Sequence, residues 1–425
     1  MKPGSALVTL TSLAAASLLS ACGSSSSSSQ SSACVGTPYG TSATSGGGLL
    51  QSFTPPCEPG GGHILLTASG EVLALGGYDF PQTDPNASVF VDGWEFKFTK
   101  VLVTFDHVML NQNPDKSPTD ESQVGPLVTQ VDGPWAVDLH KGGPIVGKGG
   151  ADEQSVPIAV ISGNFDPAQR YAFSFSTVPA TTQAKNVNLD LSSTTTSDYT
   201  DYQEMIAKGY TTLFIGTATW KGDAPGVTCQ TSSASYDFTH IPKVVDFRFG
   251  FAAPTSYINA QNPDNAPATP FPGEEQQRGI YVKSNTKTIA QATFHTDHPW
   301  WDSFVHDSPL HFDQIAAQYA SLTASTDPAP TATLDGMVGV NFLAFTDKLG
   351  ASLPYRSCVS STVYPMPTDA QMHFDNLAVP YVLGGTDPAA ALRDYRDFMT
   401  YDMSTFGHLN SDGLAYVQRN YPSPH

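Results

Sequence analysis

Residues 94–105 read WEFKFTKVLVTF, and the alternation inside this stretch decides the fold class. Trp94, Phe96 and Phe98 share one face of an extended chain, because successive side chains of a strand point to opposite sides. The apolar phase then slips by one residue to Val101, Val103 and Phe105, the pattern that a β-bulge at Lys100 produces.

The same period of two recurs outward from this point. VVDFRFGF places Val245, Phe247, Phe249 and Phe251 opposite Asp246 and Arg248. YAFSFSTV, TTLFIGTATW, TIAQATFH and VGVNFLAF read alike, with Gly, Pro, Asn and Asp loops between them. Helical spacing is confined to Tyr199–Lys208, Phe312–Leu322 and Pro388–Met403, the last opened by the capping run Thr386-Asp387-Pro388. No unit of 20 to 50 residues repeats, which argues against a propeller or solenoid. The expected architecture is mainly β: an antiparallel β-sandwich or jelly-roll-like body with a few peripheral helices. The loop 252–278 offers a domain boundary, but such loops also join strands of one sandwich, and a single β-rich domain over 61–425 is the preferred reading.

The start of the chain sets the compartment. Lys2 precedes an apolar run, Ala6–Leu19, that is too short to span a bilayer as a mature helix and reads as a secretory signal over 1–21. Leu19-Ser20-Ala21-Cys22 then resembles the bacterial lipobox, which implies cleavage before Cys22 and a lipid on that residue as membrane anchor. The Ser/Gly/Pro-rich residues 22–60 read as a flexible stalk, and Gly23-Ser24 after the cysteine favours the outer membrane. Four cysteines remain, Cys34, Cys57, Cys229 and Cys358; an exported chain would form two disulfides, with Cys34–Cys57 and Cys229–Cys358 preferred among three pairings.

A formal charge of −19 without any basic cluster argues against nucleic acid as a partner. A partner protein in the envelope remains compatible with it. No CxxC, G-x-S-x-G or H-E-x-x-H pattern is present, so thiol, serine-hydrolase and zincin chemistry lack a signature. GGPIVGKGG (142–150) has P-loop spacing, but Gly149 replaces the Mg²⁺-binding Ser/Thr, and the run reads as a glycine hairpin.

The densest chemistry lies in FHTDHPWWDSFVHDSPLHFD (294–313), which carries four of the eleven histidines and four aspartates. Imidazole suits copper and zinc, and nearby carboxylates serve as ligands or orient the rings. If the strand alternation continues, His295 and Asp297 share a face while His298 points to the other, so one ion can take both only if the strand twists or bulges before Pro299. A helical turn over Trp300–His306 would place Asp302 and His306 on one side. The candidate ligands are therefore His295, His298 and His306, with Asp297, Asp302 and His311 beside them. His107 and His373 are candidate distant ligands, and GHLNSDG (407–413) is a loop that could pack beside the site. In the competing reading these residues form turns and caps, and Trp300, Trp301 and Tyr281 form an exposed aromatic surface for a glycan or partner protein without any metal.

DGWEFKFTKVLVTFDHVML together with HTDHPWWDSFVHDSPLHFDQIA resembles a family of lipoproteins of predatory and soil bacteria that has no assigned function. In architecture and composition the chain is also similar to MbnP-type periplasmic copper-binding proteins, which implies a β-rich fold with histidines and tryptophan near a metal.

Overall fold

The computed structural model describes residues 63–421 except 85, 266–269, 285–287, 322–328, 343 and 360–391. Trp94–Gln112 is its longest strand, and it hydrogen-bonds in turn to Thr212–Trp220, Arg170–Thr177, Trp135–Asp138 and Leu127–Val131. The register slips between Phe98, opposite Gly216, and Lys100, opposite Ile215, leaving Thr99 as the extra residue. The bulge lies where the sequence pattern requires it. Beyond it both faces of the strand are buried, because the amphipathic helix Ser197–Lys208 covers the second face through Tyr202 and Met205. Lys100 is carried inward by the slip and is held there by Asp198 and Asp201. That is the arrangement a buried ammonium needs.

This strand anchors an eleven-stranded sheet; a second sheet of five contains Gly407–Leu409, Ile289–Phe294, His63–Ser69, Gln154–Ser162 and Ile145–Val146 in that order. Most pairings are antiparallel. His63–Ser69 with Ile289–Phe294, Val244–Phe251 with Thr331–Thr333, and Trp135–Asp138 with Lys185–Asn186 run parallel. The two sheets meet through aromatic rings, with Phe294 lying 5.5 Å from Phe105 and 5.7 Å from Phe175. Trp300 fills the core, 5.2 Å from both Phe96 and Phe249, and satisfies its indole N–H on the Thr296 carbonyl.

The sheet continues across the candidate boundary at 252–278: Thr255–Ile258 pairs with both Arg170–Thr177 and Tyr416–Arg419. Cys229 and Cys358 form a disulfide, whereas Cys22, Cys34 and Cys57 lie outside the described residues. Three local readings change. The described residues of VGVNFLAF (338–345) form no strand: Val338, which is exposed, follows a 3-10 turn whose cap is the Thr333 hydroxyl, while Phe342 and Phe345 are buried from a loop. The helix expected over Phe312–Leu322 shrinks to Asp313–Ala316 with a 3-10 turn Ala317–Tyr319. The last helix is Tyr395–Met403, capped by Asp394, whose carboxylate accepts from the Asp397 amide; the run at 386–388 lies outside the described residues.

Candidate metal centre

His295, His298, His306 and His408 converge, with one potential ligand atom of each lying within 4.8 Å of the others. They come from three separate segments, and the chain places each for a local reason.

The strand Ile289–Phe294 ends one residue before His295, whose amide donates to the Phe406 carbonyl. Alternation therefore stops at Phe294. Asp297 precedes a 3-10 turn, His298–Trp300, without a side-chain cap bond, Pro299 lies in the first positions of the turn, and this turn brings His298 to the same side as His295. The bend before the proline is what a shared ion demands of these two rings. His306 is carried by a closed loop rather than by a helical turn. Trp301 bridges Leu310 at its base, and the Ser303 and Ser308 hydroxyls hydrogen-bond across it at 2.5 Å. His408 sits on Gly407–Leu409, directly opposite Thr293 in the antiparallel register. Gly407 is required there, since a Cβ would come within 2.5 Å of the Tyr257 ring.

The rings pack closely. His295 stacks on His408 at 4.0 Å between centroids, and His298 lies 3.9 Å from the Trp301 ring. His298 uses Nδ1 against the Thr405 hydroxyl at 2.6 Å, which leaves Nε2 facing His408 Nε2 at 3.4 Å. His306 Nε2 and His408 Nδ1 have no hydrogen-bond partner although both are buried. A buried ring nitrogen without a partner is uncommon and calls for a ligand, an ion or a water. Asp412 Oδ1, equally unpartnered, lies 3.7 Å from His306 Nε2 and 4.0 Å from His408 Nδ1.

Charge divides the four rings into two pairs. Burial, followed by the neighbouring His295 and His306, pushes His298 well below the ordinary imidazole value; burial and the three other rings do the same to His408. These two are neutral and available as lone-pair donors. Burial also opposes charge on His295, but the Glu71 carboxylate, 3.4 Å from Nε2, and Asp297 outweigh it and raise this ring to about 10. His306 is raised chiefly by its hydrogen bond to Asp307, 3.3 Å from Nδ1.

The remaining sequence candidates go elsewhere. Asp297 stays beside His295 but is not in the group of converging ligand atoms. Asp302 and His311 are paired with each other at 3.2 Å, both fully buried, and the other nitrogen of His311 faces Asp92 at 3.8 Å. With both nitrogens directed at carboxylates, His311 has none left for the ion. The helical turn that would have aimed Asp302 at His306 does not form, because Asp302 hydrogen-bonds by its amide to the Pro309 carbonyl at the loop base. His107 lies in a separate, largely exposed group with Asp106 and Asp132, and His373 is outside the described residues. Trp300 and Trp301 are buried, so with Tyr281 they form no exposed aromatic surface; the pull of the core on two large apolar rings decides this. The segment 407–413 packs beside the site as its sequence suggested, but His408 and Asp412 within it, like Glu71, were not among the candidate ligands. The signal for His408 was its position one residue after Gly407 in a segment able to pair with TIAQATFH, but a long-range pairing of this kind has no local mark.

No protein-family model matches the chain, and neither a curated protein nor a solved structure matches it. The functional reading therefore rests on the geometry. Among the described residues no helix is long and apolar enough to cross a membrane.

Proposed function

We propose that this chain is a lipid-anchored cell-envelope protein that binds a transition metal, zinc or copper, through His295, His298, His306 and His408. The observation that carries the reading is the convergence of four buried or half-buried imidazoles, two of them with an unpartnered ring nitrogen. Nothing in a polar corner explains why such nitrogens should be gathered away from water.

The 3.4 Å between His298 Nε2 and His408 Nε2 bears on the metal. Two imidazoles on a tetrahedral ion, each at 2.0–2.1 Å, stand roughly 3.3–3.4 Å apart, whereas adjacent ligands of a square plane stand about 2.9 Å apart. This one pair is spaced as on a tetrahedral ion, which supports zinc ahead of copper, while the four ligand atoms together lie within 4.8 Å of one another and would close further around an ion. Asp412 and Glu71 would orient or neutralise the rings around the ion. The anchor reading rests on the lipobox-like Leu19–Cys22, and Gly23-Ser24 after it supports the outer membrane as the location.

The test is calorimetric titration of the full chain with Zn²⁺ and with Cu²⁺, beside a His295→Ala/His298→Ala/His306→Ala variant. Tight binding by the unaltered chain and its loss in the variant are expected. Equal binding by both, or none by either, would remove the metal site.

A further inference from the structure

A single ion does not account for His408. Its Nε2 faces His298 Nε2 at 3.4 Å, so an ion between the two takes that nitrogen and leaves Nδ1 over. Hydrogen bonds fix the state of Nδ1. The Thr405 hydroxyl gives its proton to the Asp402 carbonyl at 2.7 Å, so it accepts from His298 Nδ1 at 2.6 Å. His298 Nε2 then carries a lone pair, and its contact with His408 requires the proton on His408 Nε2. His408 Nδ1 is therefore a bare acceptor without a hydrogen-bond partner, in a residue only 1 % exposed.

A second acceptor lies opposite it. Asp412 Oδ1, also buried and unpartnered, is 4.0 Å from His408 Nδ1 and 3.7 Å from His306 Nε2, the third unpartnered atom of the group. His306 holds Asp307 on its other nitrogen at 3.3 Å, so on losing one proton it presents the Nε2 lone pair. Two nitrogens and a carboxylate oxygen then border one region away from water, and a cation satisfies all three together. Gaps of 3.7 and 4.0 Å need to close by roughly 0.5 Å to match adjacent ligands of a tetrahedral ion.

Charge points the same way. Glu71, Asp307 and Asp412 each lie beside a histidine of the group, and Asp297 is the neighbour of His298. Among the described residues none of these carboxylates pairs with a lysine or arginine. One dication offsets half of their charge, and two offset all of it.

We propose that a second divalent cation binds between His408 Nδ1, His306 Nε2 and Asp412 Oδ1, with His408 bridging it to the first ion; the proposal rests on the reading of the histidines as a metal site. His408 gives its remaining N–H proton to solvent and bridges as imidazolate, one nitrogen on each ion. With both ions bound, His306 serves the second, and the first keeps His295, His298 and His408.

The experiment loads the full chain with Cu²⁺ alone and removes loose ions by gel filtration. Copper per chain is counted by atomic emission, and the electron paramagnetic resonance signal is integrated at low temperature. Two copper ions per chain are expected, with a signal well below the copper content because an imidazolate bridge pairs the two spins. Asp412→Ala, in a loop side chain that is 45 % exposed, should lower the count to one and restore the full signal. One copper per unaltered chain would overturn the second ion and leave the metal site standing. So would two ions with uncoupled spins, or a count that Asp412→Ala leaves unchanged, since the second ion would then lie elsewhere, as at Asp106, His107 and Asp132. No copper on the unaltered chain would overturn both.

Discussion

His298 and His408 are 110 residues apart in the chain, yet their Nε2 atoms face each other at 3.4 Å. Both rings are pushed towards the neutral form, and His298 has the Thr405 hydroxyl on its other nitrogen. Without metal the two Nε2 atoms share one proton in an N–H···N hydrogen bond, which is the place a cation would take. An ion at that point would turn the contact into a source of stability.

Removing His408 therefore tests the site more sharply than removing any histidine of the 294–313 segment. His408→Ala should weaken zinc binding by at least about 100-fold, more than the loss of an orienting residue. Calorimetry on the purified chain checks this, and circular dichroism confirms that the Gly407–Leu409 pairing survives.

Metal uptake should release protons at neutral pH. His295, raised to about 10 by Glu71 and Asp297 against the effect of burial, is charged in the metal-free protein, and an ion must displace its proton. Affinity should rise with pH up to about 10 and fall in acid. Titrations in two buffers of different ionisation enthalpy measure the released protons, and Glu71→Gln should reduce their number.

His311 makes a separate pH-dependent contribution to stability. Although burial opposes its charge, the hydrogen bond to Asp302 and the Asp92 carboxylate on its other side raise it to about 9, above the ordinary 6.5. A raised folded value means the stabilisation is fully present below pH 6.5 and is lost as pH rises through about 9. Urea unfolding with chelator present should show the unaltered chain losing on the order of 1–3 kcal/mol more than His311→Gln between pH 6 and 9.5.

The Cys229–Cys358 disulfide closes a loop with a sequence separation of 129 residues. Its removal should lower stability by roughly 2–5 kcal/mol, since the reduced chain regains the loop entropy. Denaturant midpoints with and without reductant measure it. An unchanged midpoint would show that packing of Cys358 against Phe80 and Val89 suffices.

Replacing Cys22 by Ser should release the protein from the membrane fraction of cells that export it, because the lipid on that cysteine is the proposed anchor. Fractionation and immunoblotting decide the point, and undiminished membrane association would refute the lipobox reading.

The sequence by itself determined whatever depends on neighbours along the chain. Trp94 to Phe105 dictated a bulged strand because side-chain direction has a period of two, and one slipped residue is visible in the string itself. The crowding of His295, His298 and His306 within a dozen residues marked the segment for the same reason. Tertiary structure alone decided the rest. Whether His298 joins His295 depended on where the strand stopped, and that followed from the backbone pairing of His295 with Phe406. His311 resembles the other histidines in sequence, yet two buried carboxylates, one from residue 92, claim its nitrogens. His408 looked like part of a turn until an antiparallel pairing laid it opposite Thr293. Ligand sets of this kind are completed by contacts between distant segments, which packing energy selects and local periodicity does not record.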